Sequence, residues 1–394
     1  MDTTSKNAKI KQRMKETRDK HAGMICRVFE VKVVSRKLSK AQKEMLDQYF
    51  REAKWLRNSE LAKGYDHMDR DVKTATIKVG DVFEERKLKI LGSQVKQDIV
   101  DTLKSEIHGL ATKKVNGEKV GRLKFKSVCN CIPLRQYGNT YKVDFDKNRI
   151  TIQNMAKHPF RVRGLDQIPG SADIANAKLV RKPSGYYFHI TTYCEPENKP
   201  TTGAVCGIDF GIGHNLTFDD GHTVDICVPE TKGVKLASKR VNKSMHRHGY
   251  NKKSKAKKTK NHYKRVAKLK VAYEKMNNLK ADLANKAVHD ILENYDLIAI
   301  QDEMLANWHK GFFGRQVQRS AMGTIKAKLK TNSKTHVIER LYPSTQICPK
   351  CGKNTKHPLT EREYHCQYCG YHHPNRDVKA AGSILEEAIR RLSQ

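Results

Sequence analysis

The segment AVCGIDFGIGHNLTFDDGHTVDICV, residues 204–228, combines a short apolar run with a glycine-containing turn. Its first part, AVCGIDFG, predicts a buried strand that ends on Asp209. The second part, LTFDDGHTVDICV, predicts a hairpin that turns at Asp219, Asp220 and Gly221. Working outward from this segment, the later patterns predict an α/β domain that extends to residue 394.

The residues that follow predict the rest of this domain. Residues 232–270 carry 16 lysines and arginines and no acid, an imbalance that indicates either a phosphate-facing surface or a disordered arm. Near-heptad spacing of apolar residues from Val266 to Ala287 predicts a long packed helix. Beyond it we expect a strand in DLIAIQDE (296–303), a helical stretch at 315–330, a strand in THVIERL (335–341) and a last helix after Asn375.

The first 200 residues predict an antiparallel β unit that is interrupted by helices. Alternating apolar residues from 25 to 33 predict a strand, and Ser39 with Gln42 matches a capping box that opens a helix. A second helix is expected from about 93 to 110, and hairpins at 141–152 and 177–193. GRLKFKS (121–127) predicts a basic strand whose Lys124 and Lys126 face phosphates, with an ordinary edge strand as the alternative.

The charge balance indicates a polyanionic partner. Lysine and arginine outnumber aspartate and glutamate by 77 to 42, which leaves a formal charge of +35. Nucleic acid is the expected partner because phosphate neutralisation releases counterions. An anionic membrane is the alternative, but the chain has no apolar run of about 18 residues. The polar, basic N-terminus lacks a signal sequence, so a cytoplasmic location, in association with the nucleoid, is expected.

Two cysteine pairs predict a metal site. CPKCG (348–352) and CQYCG (366–370) give the spacing C-x2-C-x14-C-x2-C, typical of a zinc ribbon. A chance pairing or two disulfides is the alternative. Four thiolates leave no open position on the metal, so a structural Zn²⁺ is expected. Its predicted ligands are Cys348, Cys351, Cys366 and Cys369.

Carboxylates lie on several predicted elements of this domain. The order of elements from 204 to 394 resembles that of ribonuclease H-like folds, in which acids from separate elements converge on two divalent metal ions. Asp209 ends the first strand, and Asp377 lies in the first turn of the last helix, where the helix dipole favours an anion. Taken singly, Asp209 could be a turn residue and Asp377 a helix cap.

The motifs GIDFG, QDE, CPKCG, CQYCG and NRDVKAA together resemble those of transposon-encoded TnpB nucleases and compact type V CRISPR effectors. In many of those proteins the second acid is a glutamate at the place that Gln301 occupies here. Strand residues alternate between faces, so Glu303 would share the face of Gln301 and Asp302 would not. We therefore expect Glu303 to be the second catalytic acid.

This resemblance implies an RNA-guided endonuclease that cleaves DNA beside a short flanking motif. Asp209, Glu303 and Asp377 would be the catalytic residues and would hold two Mg²⁺ about 3.5 to 4 Å apart. Guide RNA and target double-stranded DNA would be its partners. It also implies a wedge-like β-barrel that binds guide RNA (1–35 and 120–200), a helical recognition lobe (36–119), a RuvC-like nuclease (201–342 and 374–394) and an inserted zinc ribbon that contacts the target (343–373).

Nucleic-acid contacts are expected from the acid-free segment, from GRLKFKS and from WHKGFFGRQVQRS (308–320), which could form a lid over the site unless its aromatic residues are core. The expected residues are Lys252, Lys253, Lys255, Lys257, Lys258, Lys260, Lys264, Arg265, Arg315, Arg319, Lys124 and Lys126. A repressor that has lost cleavage and a transposase accessory protein are the alternative functions. The presence of all three acids argues against the repressor, and the sequence is compatible with a monomer and with a dimer.

Overall fold

The computed structural model describes residues 3–155, 157–196, 201–250, 258–358 and 360–394. The chain divides into two compact units, Met1–Asn198 and Lys199–Gln394. Both units mix helices and strands, and the first contains a large antiparallel sheet. The predicted α/β class with an N-terminal antiparallel β unit is thus confirmed. No helix of the described residues has the length and hydropathy that are needed to cross a bilayer.

In its described residues, the N-terminal unit has nine strands and three long helices. Its helices are α1 (Thr3–Ala22), α2 (Lys40–Lys63) and α3 (Ser93–Val115). Its strands are β1 (Ile25–Val33), β2 (Thr74–Val79), β3 (Val82–Lys87), β4 (Cys131–Leu134), β5 (Tyr141–Asp144), β6 (Arg149–Ile152), β7 (Phe160–Arg163), β8 (Asp173–Lys182) and β9 (Gly185–Cys194). Short 3₁₀ turns occur at Ser35–Lys37, Tyr65–His67 and Leu165–Gln167.

Seven of these strands form one sheet in the order β4-β8-β9-β1-β7-β6-β5, with antiparallel neighbours throughout. The predicted hairpins are present as β5–β6 and β8–β9. The hydroxyl of Tyr141 in the last strand donates to the backbone carbonyl of Ala175 in β8, at 3.3 Å. This contact joins β5, at one end of the strand order, to β8, near the other end. The sheet is thus curled into a nearly closed form.

Helices α2 and α3 lie in the chain between β1 and β4, and their apolar faces join the core of the sheet. The predicted capping box is confirmed, because Ser39 and Gln42 exchange both hydrogen bonds. The sequence analysis missed the β2–β3 hairpin between these helices. The expected strand at GRLKFKS is wrong: residues 121–127 form no strand, and Asn58 bonds both the backbone N–H and the carbonyl of Lys126.

The C-terminal unit carries the second sheet. Its strands are β10 (Val205–Phe210), β11 (Leu216–Phe218), β12 (Thr223–Val224), β13 (Leu297–Gln301), β14 (Thr335–Ile338), β15 (Tyr364–His365) and β16 (His372–His373). Its helices are α4 (Lys232–Arg247), α5 (Lys260–Asn294), α6 (Leu305–Trp308), α7 (Gly314–Arg319), α8 (Met322–Lys330) and α9 (Arg376–Leu392).

The main sheet of this unit has the order β12-β11-β10-β13-β14. Strand β10 is antiparallel to β11 and parallel to β13, which is parallel to β14. Ile298 and Ile300 on one face belong to a core that includes residues of α5 and α8, whereas Ala299 on the other face packs with residues of α9. Helix α9 approaches β10 so closely that a Cβ on Gly207 would lie 2.0 Å from the carbonyl oxygen of Ala381.

Two predicted elements of this unit need correction. The helical stretch expected at 315–330 is two helices, because Ser320 takes an extended conformation between α7 and α8. The strand expected through 303 ends at Gln301, and the N–H of Glu303 turns back to the carbonyl oxygen of Gln301. The same-face argument for Glu303 assumed a continuous strand, so that argument does not apply at this position.

Candidate active site and metal centres

Asp209 is held on the face of β10 that α9 covers. Ile208 and Phe210 belong to the core on the opposite face, so strand alternation directs Gly207 and Asp209 toward α9. Gly207 permits the close approach of the helix backbone described above. The carboxyl of Asp209 is consequently buried, with only 7% of the residue exposed.

Asp377 lies in the first turn of α9, near the same strand. The side chain of Asn375 caps this helix by accepting from the backbone N–H groups of Asp377 and Val378, at 2.9 and 3.2 Å. The cap leaves the Asp377 carboxylate free of the capping role, and Arg362 Nη1 approaches one of its oxygens at 3.5 Å. The alternative interpretation of Asp377 as the helix cap is therefore incorrect.

Gln301 occupies the position beside Asp209 in the parallel sheet, because Ile208 pairs with Ile300. Its buried amide nitrogen donates to the backbone carbonyls of Glu339, Arg340 and Tyr342, at 3.3, 3.1 and 2.6 Å. Its amide oxygen accepts from Ser344 Oγ at 2.9 Å. A carboxylate could not donate to those carbonyls, so this surrounding structure suits glutamine and holds the chain after β14.

Glu303 follows the turn at the end of β13. Its Oε2 atom is buried and has no hydrogen-bond partner among the described residues. Burial raises the pKa of the Glu303 carboxyl to about 7, against a smaller lowering effect of the Lys326 ammonium. Lys326 in α8 also donates to the backbone carbonyl of Glu303. An unpartnered buried carboxylate oxygen is a group that a metal ion can satisfy.

Asp302, the neighbouring acid, is engaged by three cations. Its carboxylate oxygens lie 3.2 Å from Lys326 Nζ, 3.0 Å from Lys330 Nζ and 3.8 Å from Arg340 Nη2. Partial burial raises its pKa, but the hydrogen bonds from Lys330 and Lys326 outweigh burial and leave the pKa below its usual value. Asp302 is therefore an ionised carboxylate whose charge is balanced by neighbouring cations, whereas the Oε2 atom of Glu303 has no hydrogen-bond partner among the described residues.

Glu303 and Asp377 both lie within electrostatic reach of Asp209. Burial, and then the negative charges of Glu303 and Asp377, raise the pKa of the Asp209 carboxyl well above its usual range, while Arg376 acts in the opposite direction. Like charges in one buried site are costly unless protons or cations neutralise them. Oxygen donors of this kind fit Mg²⁺, and the orphaned Glu303 oxygen supports that fit.

The four expected cysteines form the second centre. Their Sγ atoms all lie within 4.8 Å of one another, with pairs at 3.6 Å between Cys348 and Cys369 and between Cys351 and Cys366. Ligands at Zn–S bonds of about 2.3 Å in a tetrahedron are about 3.8 Å apart, so the set fits zinc. Gly352 and Gly370 adopt φ of 70° and 68°, and each N–H bonds the carbonyl oxygen of its knuckle's first cysteine.

The expected nucleic-acid residues fall in several places. Lys252, Lys253, Lys255 and Lys257 lie outside the described residues. Lys258 precedes α5, whose first turns carry Lys260, Lys264 and Arg265, and α7 carries Arg315 and Arg319. Within the N-terminal unit, Lys126 Nζ lies 3.8 Å from Glu106, and the carbonyl oxygen of Lys124 accepts from Arg57.

The sequence analysis missed several basic residues at these sites. Lys326 and Arg376 are both buried beside the carboxylates. Helix α4 forms a cleft with α5 that is lined by Arg240, Lys243, Ser244, Arg247, Arg265 and Lys268. The cleft residues lie in the acid-free segment 232–270, which could have identified them from the sequence. Nothing in the sequence singled out Lys326.

Two family models match parts of this chain. Residues 321–384 match the family model described as Cas12f1-like, TNB domain. Residues 188–308 match the model OrfB_IS605, described as a probable transposase. These two matches confirm the resemblance to TnpB-like proteins and compact type V effectors over those residues. Among curated proteins, no match to the sequence was found.

Three solved structures are similar over much of the chain. "Cryo-EM structure of the Cas12f1-sgRNA-target DNA complex" gives a TM-score of 0.49 at 10% identity and covers 92% of this chain and 99% of that chain. "Cryo-EM structure of CasPhi-2 (Cas12j) bound to crRNA" gives 0.41 at 10% identity, with 93% and 98% covered. "Structure of the mini-RNA-guided endonuclease CRISPR-Cas_phi3" gives 0.32 at 11% identity, with 61% and 57% covered.

Proposed function

We propose that this protein is an RNA-guided DNA endonuclease with one RuvC-like, ribonuclease H-like active site, which cleaves beside a short flanking motif. The observation that carries the proposal is that buried Asp209 faces α9, whose first turn carries Asp377, while Glu303 follows the adjacent strand β13. Burial, and then the charges of Glu303 and Asp377, raise the pKa of Asp209. Acids from a strand, a turn and a helix, far apart in the chain, have no evident structural reason to lie close to one buried carboxyl group. Grouped carboxylates suit the binding of two divalent metal ions.

Asp209, Glu303 and Asp377 would hold the magnesium ions. Mg²⁺ bound there would activate a water molecule and stabilise the leaving 3′ oxygen of the cleaved strand. The chain's own contribution is to orient the carboxylates: α9 fixes Asp377, β10 fixes Asp209, and Lys326 anchors the backbone of Glu303. Lys326, Lys330 and Arg340 neutralise Asp302, which leaves Glu303 as the acid available at the end of β13.

Guide RNA and target DNA are the proposed partners. The basic cleft between α4 and α5 supports this assignment, since it concentrates cations on two helices and α4 contains no acid. Such a surface holds a phosphate backbone by charge, while base pairing with the guide supplies sequence specificity. In this proposal residues 1–35 and 120–200 bind the guide, 36–119 form the recognition lobe, 201–342 with 374–394 form the nuclease, and the ribbon at 343–373 contacts the target.

Residues 308–320 are proposed to be a lid over the site. The alternative, that the aromatic residues of this segment are core, holds for Trp308, which packs against the core. Phe312, however, is 98% exposed and Phe313 is 51% exposed. Two exposed phenylalanines beside Arg315 suit base stacking and backbone contact with a single strand. Gln316 Nε2 donates to the backbone carbonyl of Ile212 at 2.8 Å, which ties this segment to the loop after Asp209.

Two experiments test the proposal. Sequencing of RNA that copurifies with the protein should find one defined species, and a plasmid that matches its guide should be cut in Mg²⁺. Target binding without cleavage by the wild type would instead support the RNA-guided repressor, and joining of DNA ends without RNA would support a transposase function. The Asp209→Ala variant should retain RNA and target binding and lose cleavage.

A further inference from the structure

A second group of potential metal ligands lies on the ribbon, outside the Cys₄ centre. Glu363, His365 and His372 each present one ligand atom, and these three atoms lie within 4.8 Å of one another. His372 Nε2 is 3.1 Å from Glu363 Oε2, and His365 Nε2 is 3.4 Å from the same oxygen. All three side chains are exposed to solvent.

The backbone of the ribbon hairpin explains why these side chains meet. His365 in β15 pairs directly with His372 in β16. Directly opposite residues of an antiparallel pair point to the same face, and so do residues two apart in a strand. Glu363 precedes β15 by one residue and therefore shares that face with His365. The intervening Tyr364 points inward and is fully buried.

The distances agree with those between ligands of one metal ion. Nitrogen and oxygen ligands at about 2.0 to 2.2 Å from zinc, at tetrahedral or octahedral angles, are about 2.8 to 3.6 Å apart. Both measured His–Glu distances fall in that interval. The imidazole rings are 4.2 Å apart between centroids, with 33° between their planes, so both Nε2 atoms can approach a common point beside the carboxylate.

We propose that Glu363, His365 and His372 form a second, solvent-exposed site for a divalent transition metal ion, with Zn²⁺ as the occupant. Two imidazoles and one carboxylate suit zinc, whereas Mg²⁺ prefers oxygen ligands. Three protein ligands leave at least one coordination position for water. The ion would tie β15 to β16, which share only two residue pairs. This site is independent of the proposed nuclease function.

Zinc binding to the full-length protein tests the site directly. After equilibration with buffered Zn²⁺, the wild type should hold two zinc ions per chain, of which one exchanges readily. His365→Ala and His372→Ala should each weaken the second zinc at least as much as the loss of an outer-shell partner, roughly 10- to 100-fold, and Glu363→Gln should weaken it as well. The ribbon zinc should remain in all three variants, which shows that the ribbon is still folded.

His289→Ala is the matched control. His289 is an exposed histidine with an acid, Glu293, one turn away in α5, at 3.7 Å. Its replacement should leave both zinc ions in place. Titration with Co²⁺ adds a spectroscopic readout, because a cobalt ion at the second site should lack the thiolate charge-transfer bands of a cobalt ion in the Cys₄ centre. A wild type with one zinc per chain, or a second zinc that survives the loss of both histidines, would overturn the proposal.

Discussion

The Cys₄ centre and the three expected catalytic carboxylates lie in the same unit, but they are assembled at different scales. The four cysteines come from two knuckles between residues 348 and 369, and each knuckle carries its ligands on a glycine-containing turn. The three carboxylates come from a strand, a turn and a helix between residues 209 and 377. Local spacing therefore defines the first centre, whereas only tertiary packing assembles the second.

The charge of the two groups differs in a corresponding way. Thiolates in a closed site are neutralised by the ion they are spaced to bind. Among the carboxylates, Asp209 is instead buried, and burial, followed by the charges of Glu303 and Asp377, raises its pKa. A buried carboxylate lowers the stability of the fold unless a cation neutralises it. Its presence is therefore a stronger sign of function than a cysteine pair on a local turn.

The largest expected effect comes from Asp209→Asn. Cleavage of a guide-matched plasmid should fall about a thousandfold or more, because a buried charged ligand becomes a neutral amide of the same shape. Without Mg²⁺, the thermal midpoint of this variant should rise, since the fold no longer has to protonate or desolvate a carboxylate at this position. Unchanged cleavage, measured with RNA and target binding intact, would show that Asp209 is not a catalytic residue.

The next prediction separates Glu303 from its neighbour. Glu303→Gln should reduce cleavage by about a hundredfold or more, because its free Oε2 atom is the proposed ligand. Asp302→Asn is the matched control and should keep cleavage within about tenfold, since Asp302 already pairs with Lys326 and Lys330. The opposite order of activities would assign the second catalytic acid to Asp302.

Particular residues show how far sequence reasoning reaches. Strand β1, the Ser39–Gln42 capping box and the β5–β6 and β8–β9 hairpins follow from local periodicity and turn chemistry, and the structure contains all of them. The Cys₄ group was predictable for the same reason. Periodicity could not foresee that β13 ends at Gln301, because the interactions that fix Gln301 come from residues 339–344.

Contacts distant in sequence also explain the missed elements. Asn58 and Arg57 bond the backbone around Lys124 and Lys126, and these contacts replace the strand pairing that an alternating basic pattern predicts. The burial of Lys326 depends on how α8 packs beside the end of β13, which no local pattern encodes. The catalytic roles of Asp209, Glu303 and Asp377 stay predictions until the variants are measured.

A smaller effect on cleavage is expected from Cys348→Ser, which sharpens the contrast between a structural and a catalytic centre. Loss of one thiolate should release the ribbon zinc, lower the thermal midpoint of the C-terminal unit and reduce cleavage indirectly. Lys379 in α9 contacts the ribbon, since its Nζ lies 4.1 Å from the Tyr364 ring centroid and 2.9 Å from the Ser344 carbonyl oxygen. Cys227→Ser, at an exposed free cysteine, is the control and should keep the zinc. A fully stable, fully active Cys348→Ser variant would contradict a structural role.

The smallest expected effect is a pH dependence of stability without Mg²⁺. The pKa of Glu303 rises from 4.5 to about 7 in the fold, so folding favours its protonated form. The stability that this group contributes is present below about pH 4.5 and is lost as the pH rises through 7, at most about 3 kcal/mol. The thermal midpoint should fall by several degrees over that interval. The fall should be smaller in Glu303→Gln, and smaller in the wild type when Mg²⁺ is added.

Asp302→Asn is the control for this prediction. The lowered pKa of Asp302 acts in the opposite direction, so this variant should still show the fall in the midpoint. An identical pH profile for the wild type and Glu303→Gln would show that the Glu303 carboxyl is not strained by burial, and the contrast with the ribbon would then rest on Asp209 alone.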